Sequence, residues 1–503
     1  MVRLSLGSAT LLCTLTLSGF ARAQSRLQPS SAVPQPAAAN ALAQQTHPST
    51  SSVQPSSTQA AIRVFTLEEA LRHAVANYPS VKAALEQVNV TSAGVDLARA
   101  AYLPRLDSLW QTNRATVNNM TGLLLPQSVV PGISGPPLPS TSGQSAWGSV
   151  AGALFSWEPF DLGVRDAGVR GAEAAVTRAR ADESLTQLEV QTAVGSAFLS
   201  VVQAEQALAA ARADVERREI LARAAQTLAE NQLRPGAEAS RAEAERAAAD
   251  TRAILARRTL ILTQAALARV LGEPSGLVTV NASSLLAPAP SPPVALTAAS
   301  EHPLARAKQA SVDVARMQEE VLAQTFRPHL YLQSAFFARG SGAAYNGRLE
   351  GGAAGLGLER TNWATGVQVV FPNLFDLASL RARRASAAAS TRVESARYQE
   401  ALLTVTNQQQ SASAIIEAAR AVAANTPIQL TAARQSETQA RARYEAGLAS
   451  IVEVADSQSL LAQAEYQDAA ARVDVWRALL ADAVAHGDIA PFVDLVRMPG
   501  GAR

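Results

Sequence analysis

Apolar residues recur at helical spacing along two very long segments of the chain. In the first, Val190, Val194, Ala197, Val201, Ala204, Leu208, Ala211 and Val215 alternate steps of four and three. That is a heptad seam whose small members let a neighbouring helix approach closely. Leu185, Leu188, Leu199 and Val202 form a second apolar set off the seam. A helix with two contact stripes packs between two neighbours, in a closed ring or in a large amphipathic bundle, and periodicity alone does not separate the two. Elsewhere the period is two. In AWGSVAGALFSW, from Ala146, one face carries Trp147, Ser149, Ala151, Ala153, Phe155 and Trp157. Further on, Trp363, Thr365, Val367, Val369 and Phe371 share a face, opposite Asn362, Ala364, Gly366, Gln368 and Val370. About ten residues at ~3.3 Å rise, tilted, cross a bilayer core. Aromatic residues closing the ends of an alternating strand fit a transmembrane barrel, and a soluble hairpin shows the same alternation.

The chain repeats itself. NYPSVKAALEQVNV, from Asn77, aligns with EHPLARAKQASVDV, from Glu301. Pro79 meets Pro303 and Pro104 meets Pro328, each at a shift of 224 (303 − 79 and 328 − 104). Tyr102/Phe326 and Leu106/Leu330 hold the same register. Proline is tolerated in the first turn of a helix and ends one from within. Pro79 and Pro303 therefore read as helix starts, and Pro104 and Pro328 as helix-to-strand transitions. FSWEPFDLGVR, from Phe155, resembles VFPNLFDLASLR, from Val370, with Asp161 and Asp376 as N-cap candidates. LRPGAEAS and YEAGLAS align Gly236 with Gly447.

Each copy thus predicts a short helix, a strand, a loop, a strand, a long helix, a glycine-marked turn and a medium helix. In the first copy these fall near 79–103, 106–114, 147–157, 163–232 and 237–271. In the second they fall near 303–326, 329–338, 363–371, 377–444 and 449–485. The long helix, at about 70 residues, is roughly 100 Å, and the two smaller helices laid end to end give roughly 90 Å. The organisation expected is a first repeat at 63–286, a Pro-rich linker at 287–296, a second repeat at 297–487 and a C-terminal tail at 488–503.

The N-terminus adds an address. Arg3, an apolar run from Leu4 to Phe20 and Ala21-Arg22-Ala23 read as a signal peptide over 1–23. Residues 24–62, rich in Ser, Pro, Gln and Ala, read as a disordered leader. The only cysteine, Cys13, lies inside the signal, so the exported chain is expected to have no disulfide and no lipid anchor. A net charge of +2 and 17% charged residues give no footing for nucleic acid. The exposed arginines expected at 381, 383 and 384 fit a solvated helix face. His47, His73, His302, His329 and His486 show no metal-ligand spacing. The glycines at 351, 352, 355 and 357 lack the Lys-Ser/Thr of a phosphate loop and read as a loop tip. Neither an enzyme nor a bound cofactor or metal is expected.

Four strands cannot close a barrel, and an open edge in lipid leaves backbone groups unpaired. Three copies of four would give twelve. The segments between paired strands, Met120–Gln144 and Gly340–Thr361, are long and rich in Gly, Pro and Ser, as outer barrel loops are. The fold class expected is a mixed α and β membrane protein. It joins a long α-helical coiled-coil barrel to a trimeric 12-stranded transmembrane β-barrel, with four strands per protomer and internal duplication.

The helix starts, the strand entries, the Phe-Asp-Leu entries and the duplication, in this order, resemble the TolC-like outer membrane efflux family. The resemblance covers about Phe65 to His486. It implies a homotrimer in outer membrane lipid, with a helical tunnel reaching into the periplasm. Such a channel meets a periplasmic adaptor protein and an inner-membrane pump of RND, ABC or MFS type, and passes drugs, metals or proteins outward. It also implies a periplasmic gate at Tyr444, Gly447, Glu453 and Asp456, and a membrane girdle at Trp147, Trp157 and Trp363. Where some members hold the gate with an arginine, this chain has Ala449; where they have threonine and aspartate, it has Arg241 and Ala242. That leaves packing to hold the gate here. Glu453 and Asp456 also read as two solvated helix acids. The other reading of the whole chain is a soluble periplasmic coiled-coil adaptor or scaffold.

Overall fold

Proline and glycine set the element boundaries. The chain runs β1 (Arg63–Phe65), α1 (Leu67–Asn77), α2 (Pro79–Ala100), β2 (Arg105–Thr116), β3 (Ser145–Asp161), α3 (Val164–Glu230) and α4 (Gly236–Leu271). It continues with β4 (Val278–Val280), α5 (Pro303–Gln324), β5 (His329–Ser341), β6 (Arg360–Val370), α6 (Leu377–Glu445), α7 (Ile451–Ala485) and α8 (Ala490–Arg497). The structure is a computed structural model and describes residues 63–118, 124–130, 139–141, 143–273, 278–290, 297–342, 344, 346, 348–372 and 377–497. The expected signal and leader, Asp376, residues 291–296 of the linker and 498–503 of the tail lie outside the described residues.

Pro79 and Pro303 occupy the first turns of α2 and α5, where their missing N–H groups have no intrahelical partner to lose. Pro104 and Pro328 sit in the few residues between each of these helices and the strand that follows. Asp161 ends β3, and its carboxylate accepts the backbone N–H of Arg165 in the first turn of α3.

α3 and α6 have 67 and 69 residues. α2 and α4 pack against α3, and α5 and α7 pack against both long helices. Beside the sheet the helices therefore stand in the order α2, α3, α5, α6. At the far end the order is α4, α3, α7, α6. Of the expected seam, Val190, Val194, Val201, Ala204 and Leu208 are buried, and Ala197, Ala211 and Val215 are half-buried. No described helix is long and apolar enough to cross a membrane.

The sheet is antiparallel in the order β2-β3-β5-β6. Leu106 pairs with Phe155, Trp110 with Ala151, Phe336 with Trp363 and Leu332 with Val367, which puts these residues on one face. A bulge at Glu158-Pro159 shifts the β3–β5 register between Trp157 and Phe160, where proline removes a ladder donor.

The glycine alignment of the two copies needs a correction. Gly447 (φ +77) ends α6, and its structural counterpart in the first copy is Gln232 (φ +59). That shift is 215 (447 − 232). The Asp161/Asp376 shift is the same (376 − 161), and so is the shift between the starts of α4 and α7 (451 − 236). Gly236 opens α4 rather than ending α3. A glutamine holding the left-handed position hid the equivalence, because such a position normally marks itself with glycine.

Four elements were not expected. β1 and β4 form a parallel two-stranded pair. Thr66 and Glu69 cap α1 reciprocally. In the expected tail, α8 places Phe492 and Leu495 in the core, with Phe492 edge-on to Trp476 at 6.3 Å. These elements wrap the middle of the helical body.

Candidate functional site

Two places carry candidate residues: the helix tips and the exposed sheet. At the second tip, α6 stops because Gly447 adopts φ +77 and Leu448 N–H reaches back to the Arg443 carbonyl at 2.8 Å. This closes the carbonyls that the helix end leaves open. α7 then begins at Ile451. Tyr444 is buried in a small apolar cluster with Leu221, Ala225, Ala242, Ala440, Ile451 and Val454, and Ala449 packs on it.

The sequence missed the polar part of this tip. Tyr444 donates its hydroxyl to Glu238 Oε2 at 3.2 Å. The Arg234 guanidinium lies over the Tyr444 ring, 5.1 Å from its centre. Arg234 is also 3.8 Å from Glu238 and donates to the Tyr444 carbonyl at 3.4 Å. Burial, and then the Glu238 carboxylate, hold the Tyr444 hydroxyl above the ordinary tyrosine pKa, so it stays a donor at neutral pH. Thus α6 is tied to the α3–α4 turn by a polar contact, and packing is not the only tie. The shifted glycine alignment directed attention to Arg241 and Ala242. Arg241 is exposed, and Ala242 is buried in the tip cluster.

Glu453 pairs with Arg443 at 3.0 Å across the α6–α7 turn and remains 43% exposed. Asp456 is exposed, and no ion pair to it occurs among the described residues. The two acids stand three apart and so share a helix face. Farther from the tip, Arg218 is 1% exposed at the next step of the heptad seam. It bonds Asp214 at 3.0 Å, Glu245 of α4 at 2.9 Å and Ser459 of α7 at 2.9 Å. Arg252 adds a contact to Asp214 at 3.0 Å, and Arg217 reaches Glu465 of α7 at 2.8 Å. The signal for this network was a charge at a seam position.

On the sheet, the face shared by Leu106, Trp110, Trp147, Trp157, Phe336, Trp363, Val367 and Val369 is apolar, and each of these side chains is exposed. Trp147 and Trp157 stand near opposite ends of β3, and Trp363 stands on β6. Trp157 donates its indole N–H to the Tyr102 carbonyl at 3.1 Å. The other face carries Asp107, Gln111, Asn113, Gln333, Arg339, Arg360 and Gln368 by the strand register. Residues 124–130 of the β2–β3 loop lie against this face, where Val129 and Val130 pack on Val150, Ala335 and Phe337. The glycine-rich β5–β6 loop folds back on the rim. At Gly355 (φ +91) a Cβ would stand 2.0 Å from the Trp147 carbonyl oxygen, so only glycine fits. His73, His329 and His486 each face a separate carboxylate. No metal-holding group occurs among the described residues.

Residues 70–273 match the family of outer membrane efflux proteins. No curated protein matches the sequence. Several solved structures share the fold. The outer membrane protein VceC from Vibrio cholerae is 18% identical, with a TM-score of 0.66 over 84% of this chain and 96% of that one. The CmeC outer membrane channel from Campylobacter jejuni is 14% identical, with a TM-score of 0.66 over 87% of both chains. The MtrE outer membrane channel from Neisseria gonorrhoeae, solved in an open state, is 17% identical, with a TM-score of 0.63 over 84% of this chain and 89% of that one. Residues 70–273 thus match the outer membrane efflux protein family, and the chain as a whole takes the fold of these outer membrane channels.

Proposed function

We propose that this outer membrane efflux protein works as a passive conduit, built when three copies close one ring through both layers. The observation that carries this is a pair of unlike open edges. β2 and β6 are the two outer strands of the sheet. α2 and α4 flank the body on the β2 side, and α6 flanks it on the β6 side. Leu97, Ile254 and Ile261 are exposed on the first edge; Leu403, Ile415 and Ile428 are exposed on the second. Joining unlike edges head to tail gives a closed ring, and three copies make a barrel of twelve strands over twelve helices at each level. The apolar sheet face would then meet lipid and the polar face would line the lumen.

In this reading residues 1–23 direct export and are removed, no lipid is attached, and the repeats span 63–286 and 297–487. The helix tips face a periplasmic adaptor and, through it, an inner-membrane pump. Tyr444 and Gly447 shape the tip. Glu453 and Asp456, six carboxylates in a trimer, guard the entrance and favour cations there. The exposed aromatic face weighs against a soluble adaptor or scaffold.

Single-channel recording in planar bilayers tests this. Wild type is expected to conduct and to be blocked by trivalent cations added from the periplasmic side. Glu453→Ala with Asp456→Ala should weaken the block by about tenfold or more, as loss of charged contacts of this size does. Unchanged block would remove the gate assignment, and absence of any conductance would remove the conduit.

A further inference from the structure

The duplication sets helix contacts as well as helix order. Gln429 of α6 bonds Gln467 of α7 at 2.9 Å, and 215 positions earlier Asp214 of α3 meets Arg252 of α4 at 3.0 Å. One shift therefore carries the α3–α4 hairpin onto the α6–α7 hairpin down to a single side-chain pair. Within the chain α7 also lies against α3. The same shift calls for α4 beside α6, but α4 stands on the opposite flank of its own chain. The place beside α6 is open to the α4 of another copy.

The α3–α7 contacts give the register of that joint. Arg477 of α7 donates to the Ser200 hydroxyl of α3 at 3.4 Å; the shifted pair is Leu262 and Ile415 (477 − 215 and 200 + 215). A Cβ on Gly195 of α3 would stand 2.9 Å from Leu480 of α7; the shifted pair is Gln410 and Ala265, with the small residue now on the other helix (195 + 215 and 480 − 215). Nearer the sheet, a Cβ on Gly171 of α3 would stand 3.6 Å from Val321 of α5. With the shift of 224 that relates the short helices, this pair becomes Ser386 and Leu97 (171 + 215 and 321 − 224). Leu262, Ile415 and Leu97 are 57%, 51% and 75% exposed. Apolar side chains left bare along a flank mark a contact surface, and these stand where the duplication calls for a neighbour. The polar ties near the tip do not transfer. Arg217–Glu465 becomes Ala432 and Asp250, and Arg218–Ser459 becomes Ala433 and Ala244.

We propose that α4 of one copy docks along α6 of the next in the register of the 215 shift, with Leu262 on Ile415, Ala265 against Gln410 and, nearer the sheet, Leu97 on Ser386. The joint is apolar where the chain's own α3–α7 joint is polar, so it should withstand high salt. This register rests on the ring reading of the chain, in which unlike flanks meet head to tail.

The test is cross-linking of the full chain in mild detergent with bismaleimidoethane. Cys13 is the only native cysteine, and the single variants Leu262→Cys and Ile415→Cys give the background. Leu262→Cys with Ile415→Cys should yield a ladder of dimers and trimers, as should Ala265→Cys with Gln410→Cys, at low and high salt alike. Leu262→Cys with Val422→Cys, one heptad or about 10 Å out of register, should lose the ladder. As a second measurement, Leu262→Lys and Ile415→Glu should each lower the temperature at which the oligomer dissociates, and the two together should restore part of it. Matched pairs that stay unlinked, a stronger ladder from the offset pair, or a double charge variant no better than its singles overturns the register. An intact oligomer with unlinked matched pairs sinks the register and leaves the ring; a monomer sinks both. A linked ring that never conducts supports the register and sinks the conduit.

Discussion

His302 shows how much one side chain can decide. It precedes Pro303, and its Nδ1 accepts the Leu304 N–H at 3.1 Å, capping α5. Its Nε2 donates to the Val484 carbonyl of α7 at 3.0 Å. The first bond needs the neutral ring, because a protonated Nδ1 cannot accept; the second persists on protonation. Burial holds its pKa below the ordinary histidine value of 6.5, against the Val484 bond that raises it, and the neighbouring His486 lowers it further. The folded pKa is depressed, so the stability this ring contributes is present above pH 6.5 and is lost as pH falls through the folded value. His302→Ala should lower stability by about 1 kcal/mol for the cap and remove that acid sensitivity. Melting temperatures of the detergent-solubilised protein above and below pH 6 check both parts. Other residue roles were less legible. Gly447 announced its turn through the conformation that only glycine takes freely. Arg234 and Glu238 stayed hidden, because their role depends on Tyr444 arriving from a helix more than two hundred positions later.

Among elements, the paired prolines and the seam made the short helices, strands and long helices readable to within a few residues. Both signals are local, and the prolines are written twice. α1 and α8 had no repeat to mark them. The Thr66–Glu69 capping box was a signal for α1 that periodicity did not pick up. The Arg218 network was readable only as an anomaly, a charge where the seam of α3 calls for a small apolar residue. It links α3 to α4 through Glu245 and to α7 through Ser459. Removing one partner of a buried ion pair leaves the other charge stranded, at about 3–5 kcal/mol. Arg218→Ala should therefore lower the melting temperature sharply. Arg218→Ala with Asp214→Ala, which strands less charge, should recover part of the loss. Equal losses in the two variants would show that packing, rather than charge, dominates there.

At the scale of the whole molecule, the proposed ring of copies starts from a count made in the sequence: four strands are too few to seal against lipid. The side on which each edge falls was not legible, because handedness and helix order come from packing over the full length of the chain. The structure puts unlike surfaces on the two flanks, β2 with α2 and α4 on one side, β6 with α6 on the other. A chain whose β6 is disabled by prolines keeps its β2 flank, so it can still be recruited and then offers nothing to the next arrival. Co-expressed with wild type, it should poison assemblies rather than stand aside, and the yield of conducting complexes should fall more steeply than its share of the chains.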